Sequence, residues 1–251
     1  MFDTHFHLDK EDDAQNIYND AQAAGVEFMT LIGCDPESCD RAQATAEKFE
    51  NMYFSAGVHP LYVADFKGSV SDFEKYYTHP KNVAVGEIGL DFFYEKENHA
   101  EQIAIFEAFL EVSKRIGKPA VIHSREAFPE TIASLKKVLK GEVPFILHCY
   151  TGDDQWVQEF LDLGGYISYS GIVTFNNAKE LRSSLALVPQ ERILIETDSP
   201  YLAPVPMRGK RNQPAYVAHV RDRVAKELNM PADNLGELAK RNAKKVFNLD
   251  V

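Results

Sequence analysis

Residues 119–148, PAVIHSREAFPETIASLKKVLKGEVPFILH, contain one complete unit of a repeating fold. The segment begins and ends with short apolar runs rich in β-branched residues, which are typical of buried strands. Between these runs, residues 129–140 carry apolar side chains at helical spacing and close on Lys140 and Gly141, a basic last turn followed by glycine. A strand, a helix and a second strand in this order predict two parallel strands joined by a helix.

The same alternation of apolar runs and amphipathic segments extends along the chain. A further helix is predicted over residues 100–116, and two more over residues 214–248 with a break at Met230 and Pro231. Six other apolar runs predict strands: FDTHFH, MTLIG, MYFSAG, VAVGEIG, YISYSG and RILIET. Eight strands alternating with helices in 251 residues predict a TIM (β/α)8 barrel, with a doubly wound open sheet as the alternative. Because no linker divides the chain, we expect a single domain over residues 1–251.

Composition argues against several classes of protein. The net charge of −11 argues against a nucleic-acid coat protein with a basic surface, but it leaves room for an enzyme with one locally positive site. No apolar run reaches 18 residues, and the start of the chain lacks the cationic and apolar regions of a signal peptide. Cys34, Cys39 and Cys149 form no CxxC motif and are expected to be reduced thiols. We therefore expect a cytoplasmic protein with no membrane association and no obligate protein partner.

Side chains of the types that bind metals stand where five of the predicted strands end. His5 and His7 are two residues apart on the first strand, so both point to the same face. The others follow strands four, five, six and eight, and they are Glu87, His123, His148 and Asp198. Since the carboxyl ends of barrel strands meet at the end where active sites are built, we expect all six side chains to lie close together.

Four imidazoles and two carboxylates indicate which cations such a site would hold. Imidazole with carboxylate suits zinc or a similar first-row divalent ion, whereas calcium takes more oxygen ligands. Six ligands are too many for one tetrahedral zinc that keeps an open position, and they suit two ions about 3.5–4 Å apart. We therefore expect two divalent cations per subunit, with zinc, manganese and magnesium as the candidates.

The same six residues suggest a hydrolytic mechanism in which Glu87 and Asp198 are the catalytic carboxylates. Glu87, which has two oxygens, is expected to bridge the ions, with the first two histidines on one ion and the last two on the other. Asp198 is expected to bind the first ion and to orient the attacking water or take its proton. Glu196 lies two residues earlier and shares the same strand face, so it is the competing candidate for that role.

Capture of an anionic substrate requires cations near the site. Arg125 lies two residues after a predicted ligand, and a basic cluster of Arg208, Lys210 and Arg211 follows strand eight. Arginine forks suit phosphate oxygens, so these arginines and His59 are candidate substrate contacts, with a solvated basic loop as the alternative. Three tyrosines near strand ends would either stack on the bases of a single strand or pack in the core or rim: Tyr94, Tyr150 and Tyr201.

Nine segments together resemble the TatD family of metal-dependent deoxyribonucleases, which lie within the amidohydrolase-like barrels. They run in order from residue 3 to residue 247: DTHFHLD, GVHP, GEIGLDF, VIHSREA, LHCYTG, YISYSG, ETDSPYLAP, RGKRNQPAY and NAKKVF. The resemblance implies a TIM barrel, a divalent-metal site and phosphodiester hydrolysis, typically exonucleolytic. The family has metal ligands at the positions of the same six residues. One departure is Met207, where relatives often have histidine, and it touches no predicted ligand.

Together with the ligand set, the resemblance implies a divalent-metal-dependent deoxyribonuclease that cleaves phosphodiester bonds from DNA ends, acting on single-stranded DNA or on an end. An amidohydrolase acting on a small-molecule or acyl ester or amide is the alternative, and it would use the same six ligands. Many such barrels bridge their metals with a carbamylated lysine, and Glu87 at the strand-four position weighs against that class. A non-catalytic scaffold stabilised by metal is the third interpretation, and it would bind metal without turning over any substrate.

Overall fold

The computed structural model describes residues 1–94 and 97–249, and within these ranges eight strands form one sheet. The strands lie in the sheet in the order in which they occur in the chain. They are β1 (Phe2–Phe6), β2 (Phe28–Gly33), β3 (Met52–Ala56), β4 (Asn82–Asp91), β5 (Ala120–Arg125), β6 (Phe145–Leu147), β7 (Gly165–Tyr169) and β8 (Ile193–Ile195).

Helices alternate with these strands. They are α1 (Ala14–Ala23), α2 (Pro36–Ala46), α3 (Glu74–Tyr77), α4 (His99–Ile116), α5 (Phe128–Val138), α6 (Asp154–Asp162), α7 (Lys179–Ser184), α8 (Val217–Glu227) and α9 (Ala232–Val246). Short 3-10 turns occupy Pro60–Tyr62, Val70–Phe73, Gly171–Thr174, Gln190–Arg192 and Pro214–Tyr216. No described helix is long and apolar enough to cross a membrane.

The predicted elements are confirmed with small shifts at their ends. Helix α4 ends where the sequence indicated, because Gly117 adopts a left-handed φ of 69° and its N–H bonds to the carbonyl of Ser113. Helix α5 stops two residues before the predicted Lys140, and Pro231 separates α8 from α9 as expected. Local capping and periodicity are therefore sufficient to locate these helices.

The strand order is that of a TIM (β/α)8 barrel. An isolated parallel bridge joins Phe6 of β1 to Ser199, four residues after β8, so the last strand segment lies beside the first. A doubly wound sheet would interrupt the sequential order at its switch point, so that alternative is wrong. Alternating strands and helices were the signal that predicted this fold.

Contacts between Cα atoms divide the chain into two compact units. Unit 1 contains Met1–Leu31, His148–Gln158 and the chain from Tyr166 onward, and unit 2 contains Ile32–Leu147 and Glu159–Gly165. Each unit contributes strands to the sheet and its own share of the predicted site. A single domain over residues 1–251 stays a prediction.

In unit 2, strand β4 approaches β5 so closely that two positions require glycine. Gly86 and Gly89 have φ values of 149° and 140°, which side chains rarely tolerate. A Cβ at Gly89 would lie 2.0 Å from the carbonyl oxygen of His123, and one at Gly86 would lie 2.6 Å from that of Val121. This close pairing fixes the register in which Gly89 lies opposite His123, and it thereby sets Glu87 near that histidine.

In unit 1, the core under the site is built around the aromatic face of β1. The ring of Phe2 lies 5.6 Å from that of Phe28 and 5.7 Å from that of Phe247, which follows α9. Phe2 and Phe6 are fully buried, as the alternation of the first strand predicted for one of its faces. The opposite face of β1 is then left to carry His5 and His7.

Candidate metal centre

In unit 1, the two histidines of the first strand converge on Asp198. The Nε2 atoms of His5 and His7 lie 3.1 Å apart. Asp198 Oδ1 lies 3.7 Å from Nε2 of His5 and 3.4 Å from Nε2 of His7. A strand that presents residues two apart to one face therefore delivers two nitrogens to the same carboxylate, as the sequence predicted.

His148 joins this group from the end of β6. Its ring stacks on that of His5, with the ring centres 4.0 Å apart and the planes 9° from parallel. His5, His148 and Asp198 each offer a ligand atom, and these atoms all lie within 4.8 Å of one another. Unit 1 thus brings together four of the six predicted ligands: His5, His7, His148 and Asp198.

Asp198 is half-buried, and its histidine neighbours favour its charged form. Burial raises the pKa of its carboxyl, but the hydrogen bond from His7 and the charges of His148, His5 and His7 outweigh burial and hold it below its usual value. Its backbone N–H donates to the carbonyl of His5, and its φ of 56° is unusual for a residue other than glycine. Asp198 is therefore held in an unusual backbone conformation and presents a charged oxygen to the histidines.

Glu196, the competing carboxylate, contacts a different partner. Its side chain is fully buried, and its Oε1 lies 3.2 Å from Nδ1 of His148 and accepts the backbone N–H of Cys149 at 2.7 Å. Within the described residues, its Oε2 is buried without a hydrogen-bond partner. The two carboxylates on one strand face therefore separate by role, since Glu196 fixes the ring of His148 and Asp198 faces His5 and His7.

Asp3 is a buried carboxylate that contacts this group through Thr197, the residue before Asp198. Its Oδ2 accepts the hydroxyl of Thr197 at 2.6 Å, and its Oδ1 accepts the backbone N–H of Thr197 at 2.9 Å. Burial raises the pKa of Asp3 to about 8. Asp3 shares the strand face of His5, and it binds the residue that precedes Asp198.

In unit 2, His59, Glu87 and His123 form a second group. Glu87 Oε1 lies 3.4 Å from Nε2 of His59 and 3.3 Å from Nδ1 of His123. The ligand atoms of these three residues also lie within 4.8 Å of one another. Cys34 donates its thiol to the other oxygen of Glu87 at 3.6 Å. Two of the predicted ligands, Glu87 and His123, therefore meet here, together with a histidine that the sequence assigned to substrate.

Asp91 is the residue of this group that sequence reasoning missed. Its Oδ2 lies 3.0 Å from Nε2 of His123, so it positions that ring as Glu196 positions His148. Burial raises the pKa of Asp91, but hydrogen bonds from His123 and from the backbone of Tyr94 and Phe93 hold it below its usual value. The available signal was its place at the end of β4, four residues after Glu87.

The donors in both units fit first-row divalent cations. Each group combines imidazole nitrogens with a carboxylate oxygen, which is the set that zinc and manganese prefer. In each group a buried carboxylate contacts a ring nitrogen of one histidine, which is the arrangement that orients metal-binding histidines in proteins. Residues that could hold a cation are therefore present in both units.

The predicted substrate arginines make other contacts. Arg125 lies over the rings of Phe93 and Tyr94, at 3.9 and 4.6 Å from their centres. Arg208 donates to the carbonyl of Ala203 at 3.0 Å and lies over a phenylalanine ring. Arg211 pairs with the exposed carboxylate of Asp9 at 2.7 Å and with the half-buried carboxylate of Asp12 at 2.8 Å.

The three tyrosines that the sequence placed near strand ends differ in exposure, and Cys149 lies near one of them in the chain. Tyr94 and Tyr201 are each 60% exposed, so they are available to a ligand. Tyr150 is buried and donates its hydroxyl to the carbonyl of Asp153, which makes it a packing residue. Cys149 lies with its Sγ 3.1 Å from Oγ of Ser170.

Comparisons with known proteins agree along the whole chain. The family of TatD-related DNases matches residues 2–248. The metal-dependent hydrolase YcfH of Escherichia coli is 36% identical, covering 100% of this chain and 96% of its own length. The 3'-5' ssDNA/RNA exonuclease TatD of Klebsiella pneumoniae is 36% identical over 92% of this chain and 90% of its own. The crystal structure of YjjV, a TatD homologue from Escherichia coli, superimposes with a TM-score of 0.91 at 28% identity, covering 100% of this chain and 98% of that one.

Proposed function

The chain belongs to the family of TatD-related DNases, and from that membership we propose that it is an exonuclease that hydrolyses phosphodiester bonds at DNA ends. It is a metal-dependent hydrolase. A relative named for exonuclease action on single-stranded DNA and RNA supports a substrate with unpaired bases. We propose single-stranded DNA, or an unpaired DNA end, as the substrate, and the cytoplasm as the place of action. A single domain and the absence of an obligate protein partner belong to the same proposal.

The observation that carries this proposal is the grouping of imidazoles with a carboxylate in each unit. One group gathers around Asp198 and the other around Glu87. Imidazole and carboxylate donors support binding of zinc, manganese or magnesium, and we propose two such ions per subunit. Glu87 is the proposed shared ligand because a carboxylate has two oxygens. The proposed ligands are His5, His7, Glu87, His123, His148 and Asp198.

Asp198 is the proposed proton acceptor. When bound, two divalent cations lower the pKa of a water molecule and stabilise the charge that builds on a phosphoryl oxygen. Because Asp198 keeps its negative charge, its Oδ1 is able to take the proton of the attacking water. His7 and His5 face the same oxygen and hold it in position.

Glu196 and Asp91 are the proposed orienting groups. Glu196 accepts the Nδ1–H of His148, which leaves Nε2 of that ring to bind a cation. Asp91 accepts the Nε2–H of His123, which leaves Nδ1, the nitrogen that faces Glu87, for the same purpose. Each hydrogen bond orients the ring and, in the neutral imidazole, fixes the tautomer whose lone pair would face the cation.

The proposed substrate contacts are Arg125, Arg208, Arg211 and His59. Arg125 and Arg208 each lie over an aromatic ring. The N–H donors of a guanidinium lie in its own plane, so stacking on a ring still allows them to bind phosphate oxygens. Arg211 would exchange one of its carboxylate partners for a phosphate oxygen. His59 lies beside Glu87, and this position supports contact with a phosphate held near the ions.

The test compares substrates on one preparation of the protein. The full chain is stripped with a chelator, reloaded with zinc, manganese or magnesium, and offered single-stranded DNA, RNA and a panel of esters and amides. We expect metal-dependent release of nucleotides from a DNA end that stops on addition of chelator. Asp198→Asn, purified identically, serves as the control for contaminating nucleases. Turnover of an ester or amide with DNA left intact would overturn the proposal in favour of a small-molecule amidohydrolase.

A further inference from the structure

We propose that Phe93, Tyr94 and Arg125 form a stacking site for an unpaired nucleobase of the substrate strand. These three residues are called the aromatic platform below. The inference rests on the proposed nuclease function and adds the part of the molecule that recognises bases, as distinct from the part that cleaves phosphates.

The aromatic platform exposes flat apolar surface to solvent. Phe93 is 40% exposed and Tyr94 is 60% exposed, although they lie only two and three residues after the end of the fully buried strand β4. Their ring centres lie 4.7 Å apart with the planes at 83°, so one ring presents its edge to the other. Adjacent exposed apolar side chains of this size offer a surface on which a flat ligand can stack.

A cation completes the aromatic platform. The guanidinium carbon of Arg125 lies 3.9 Å from the ring centre of Phe93 and 4.6 Å from that of Tyr94. Proteins that bind single strands combine aromatic faces for the bases with cations for the phosphates, often with arginine stacked on the same rings. Both parts of that combination occur within these three side chains.

The aromatic platform is tied to the candidate metal centre through one carboxylate. Asp91 Oδ1 accepts the backbone N–H groups of Phe93 at 3.0 Å and Tyr94 at 2.8 Å. Its Oδ2 lies 3.0 Å from Nε2 of His123. The backbone N–H of Phe92 donates to the carbonyl of Arg125, which joins the two strand ends. A single buried side chain therefore fixes both the loop that carries the rings and a proposed metal ligand.

This arrangement favours an unpaired strand over a duplex. Bases within a duplex already stack on one another and offer no free face to a protein ring, whereas a single strand offers one at every nucleotide. Stacking makes little distinction between bases, which suits an exonuclease that must accept any terminal nucleotide. DNA and RNA share this chemistry, so the ligand is a nucleobase of either.

The test measures base stacking directly, on protein reconstituted with excess zinc. A short single strand carrying 2-aminopurine, whose fluorescence is quenched by stacking, is mixed in stopped flow and read before cleavage. The variant is Phe93→Ala combined with Tyr94→Ala. Leu187→Ala, which truncates another exposed apolar side chain, is the matched control. In parallel, kcat/KM is measured on the same strand and on an abasic strand that keeps the sugar–phosphate chain.

We expect wild type and Leu187→Ala to quench the probe and to prefer the strand with bases. The double variant should bind that strand roughly 5- to 150-fold more weakly, as expected from stacking worth about 1–3 kcal/mol per base. Its kcat/KM should fall much less on the abasic strand than on the strand with bases. Tyr94→Phe, which keeps the ring, should retain the quench when Phe93 is intact.

Three outcomes would overturn the proposal that the aromatic platform binds a base. They are no quenching of 2-aminopurine by wild type, no loss of quenching or binding in the double variant, or an equal loss of kcat/KM on the strand with bases and on the abasic strand. The last of these would show a general structural role. Quenching that depends on Phe93 and Tyr94 without any cleavage of DNA would support the aromatic platform and defeat the proposed nuclease function. If DNA is cleaved and cleavage does not depend on Phe93 or Tyr94, the nuclease function would be supported and the aromatic platform would be wrong.

Discussion

Glu196→Gln separates orientation of a metal ligand from proton transfer. Glu196 Oε1 accepts two N–H groups, from His148 at 3.2 Å and from Cys149 at 2.7 Å. Glutamine has the same size and keeps one carbonyl oxygen, but it loses the charge and introduces an N–H₂ group. We therefore expect the fold to persist while His148 loses its charged partner.

The size of the effect follows from the two hydrogen bonds. A hydrogen bond to a charged group contributes about 1.5–3 kcal/mol, against about 0.5–1.5 kcal/mol for a neutral pair. Loss of a carboxylate that orients a metal-binding histidine typically lowers metal affinity or activity about 10- to 100-fold. We expect Glu196→Gln to weaken binding of the ion that His148 holds within that range.

The assay is a metal titration against a chromophoric chelator, with turnover measured on the same samples at rising metal concentration. Because the defect lies in affinity, excess metal should recover most of the lost turnover of Glu196→Gln. Asp198→Asn should behave differently, with turnover about two orders of magnitude or more below wild type and little recovery, because the amide cannot take the proton. Glu191→Gln, an exposed carboxylate in the same segment, is the control and should match wild type.

One result would refute this division of roles. If Glu196→Gln abolished hydrolysis at saturating metal while Asp198→Asn stayed near wild type, Glu196 would be the proton acceptor. The assignment of Asp198 from its contacts with His5 and His7 would then be wrong.

Three further predictions concern metal content, substrate capture and acid stability. Elemental analysis of protein loaded with excess zinc, manganese or magnesium should approach two ions per chain, and a ceiling of one would remove the need for a shared carboxylate. Alanine at both Arg208 and Arg211 should raise the KM for DNA and lessen the salt dependence of binding, and wild-type behaviour would mark a solvated loop. Hydrogen bonds from Lys240 lower the pKa of Glu27, so its stabilisation is present above the unfolded pKa and lost as pH falls through the folded pKa. Urea unfolding of Glu27→Gln should therefore show a deficit below about 1 kcal/mol at neutral pH that disappears in acid.

The fold could be predicted from the sequence because its signals are local. Strands of β-branched residues, glycine after basic helix ends and the break at Pro231 each act within a few residues. The first ligands could be predicted for a related reason, since His5 and His7 need only the strand repeat to share a face. Parallel strands then explain why ligand types recur at strand ends.

The supporting carboxylates could not be assigned in the same way. Asp91 ends β4 and Glu196 directly follows β8, and both positions also suit direct ligands. Nothing in their local sequence states which partner each will meet. That choice depends on the register between strands and on the local backbone conformation, as at Asp198, which adopts a φ of 56°. Strand alternation assigned Glu196 and Asp198 to one face, and in the structure Glu196 Oε1 contacts Nδ1 of His148 whereas Asp198 Oδ1 lies beside Nε2 of His5 and His7. Roles within the site therefore depend on local departures from ideal strand geometry. The two-residue repeat of a strand assumes ideal geometry, so it does not predict these departures.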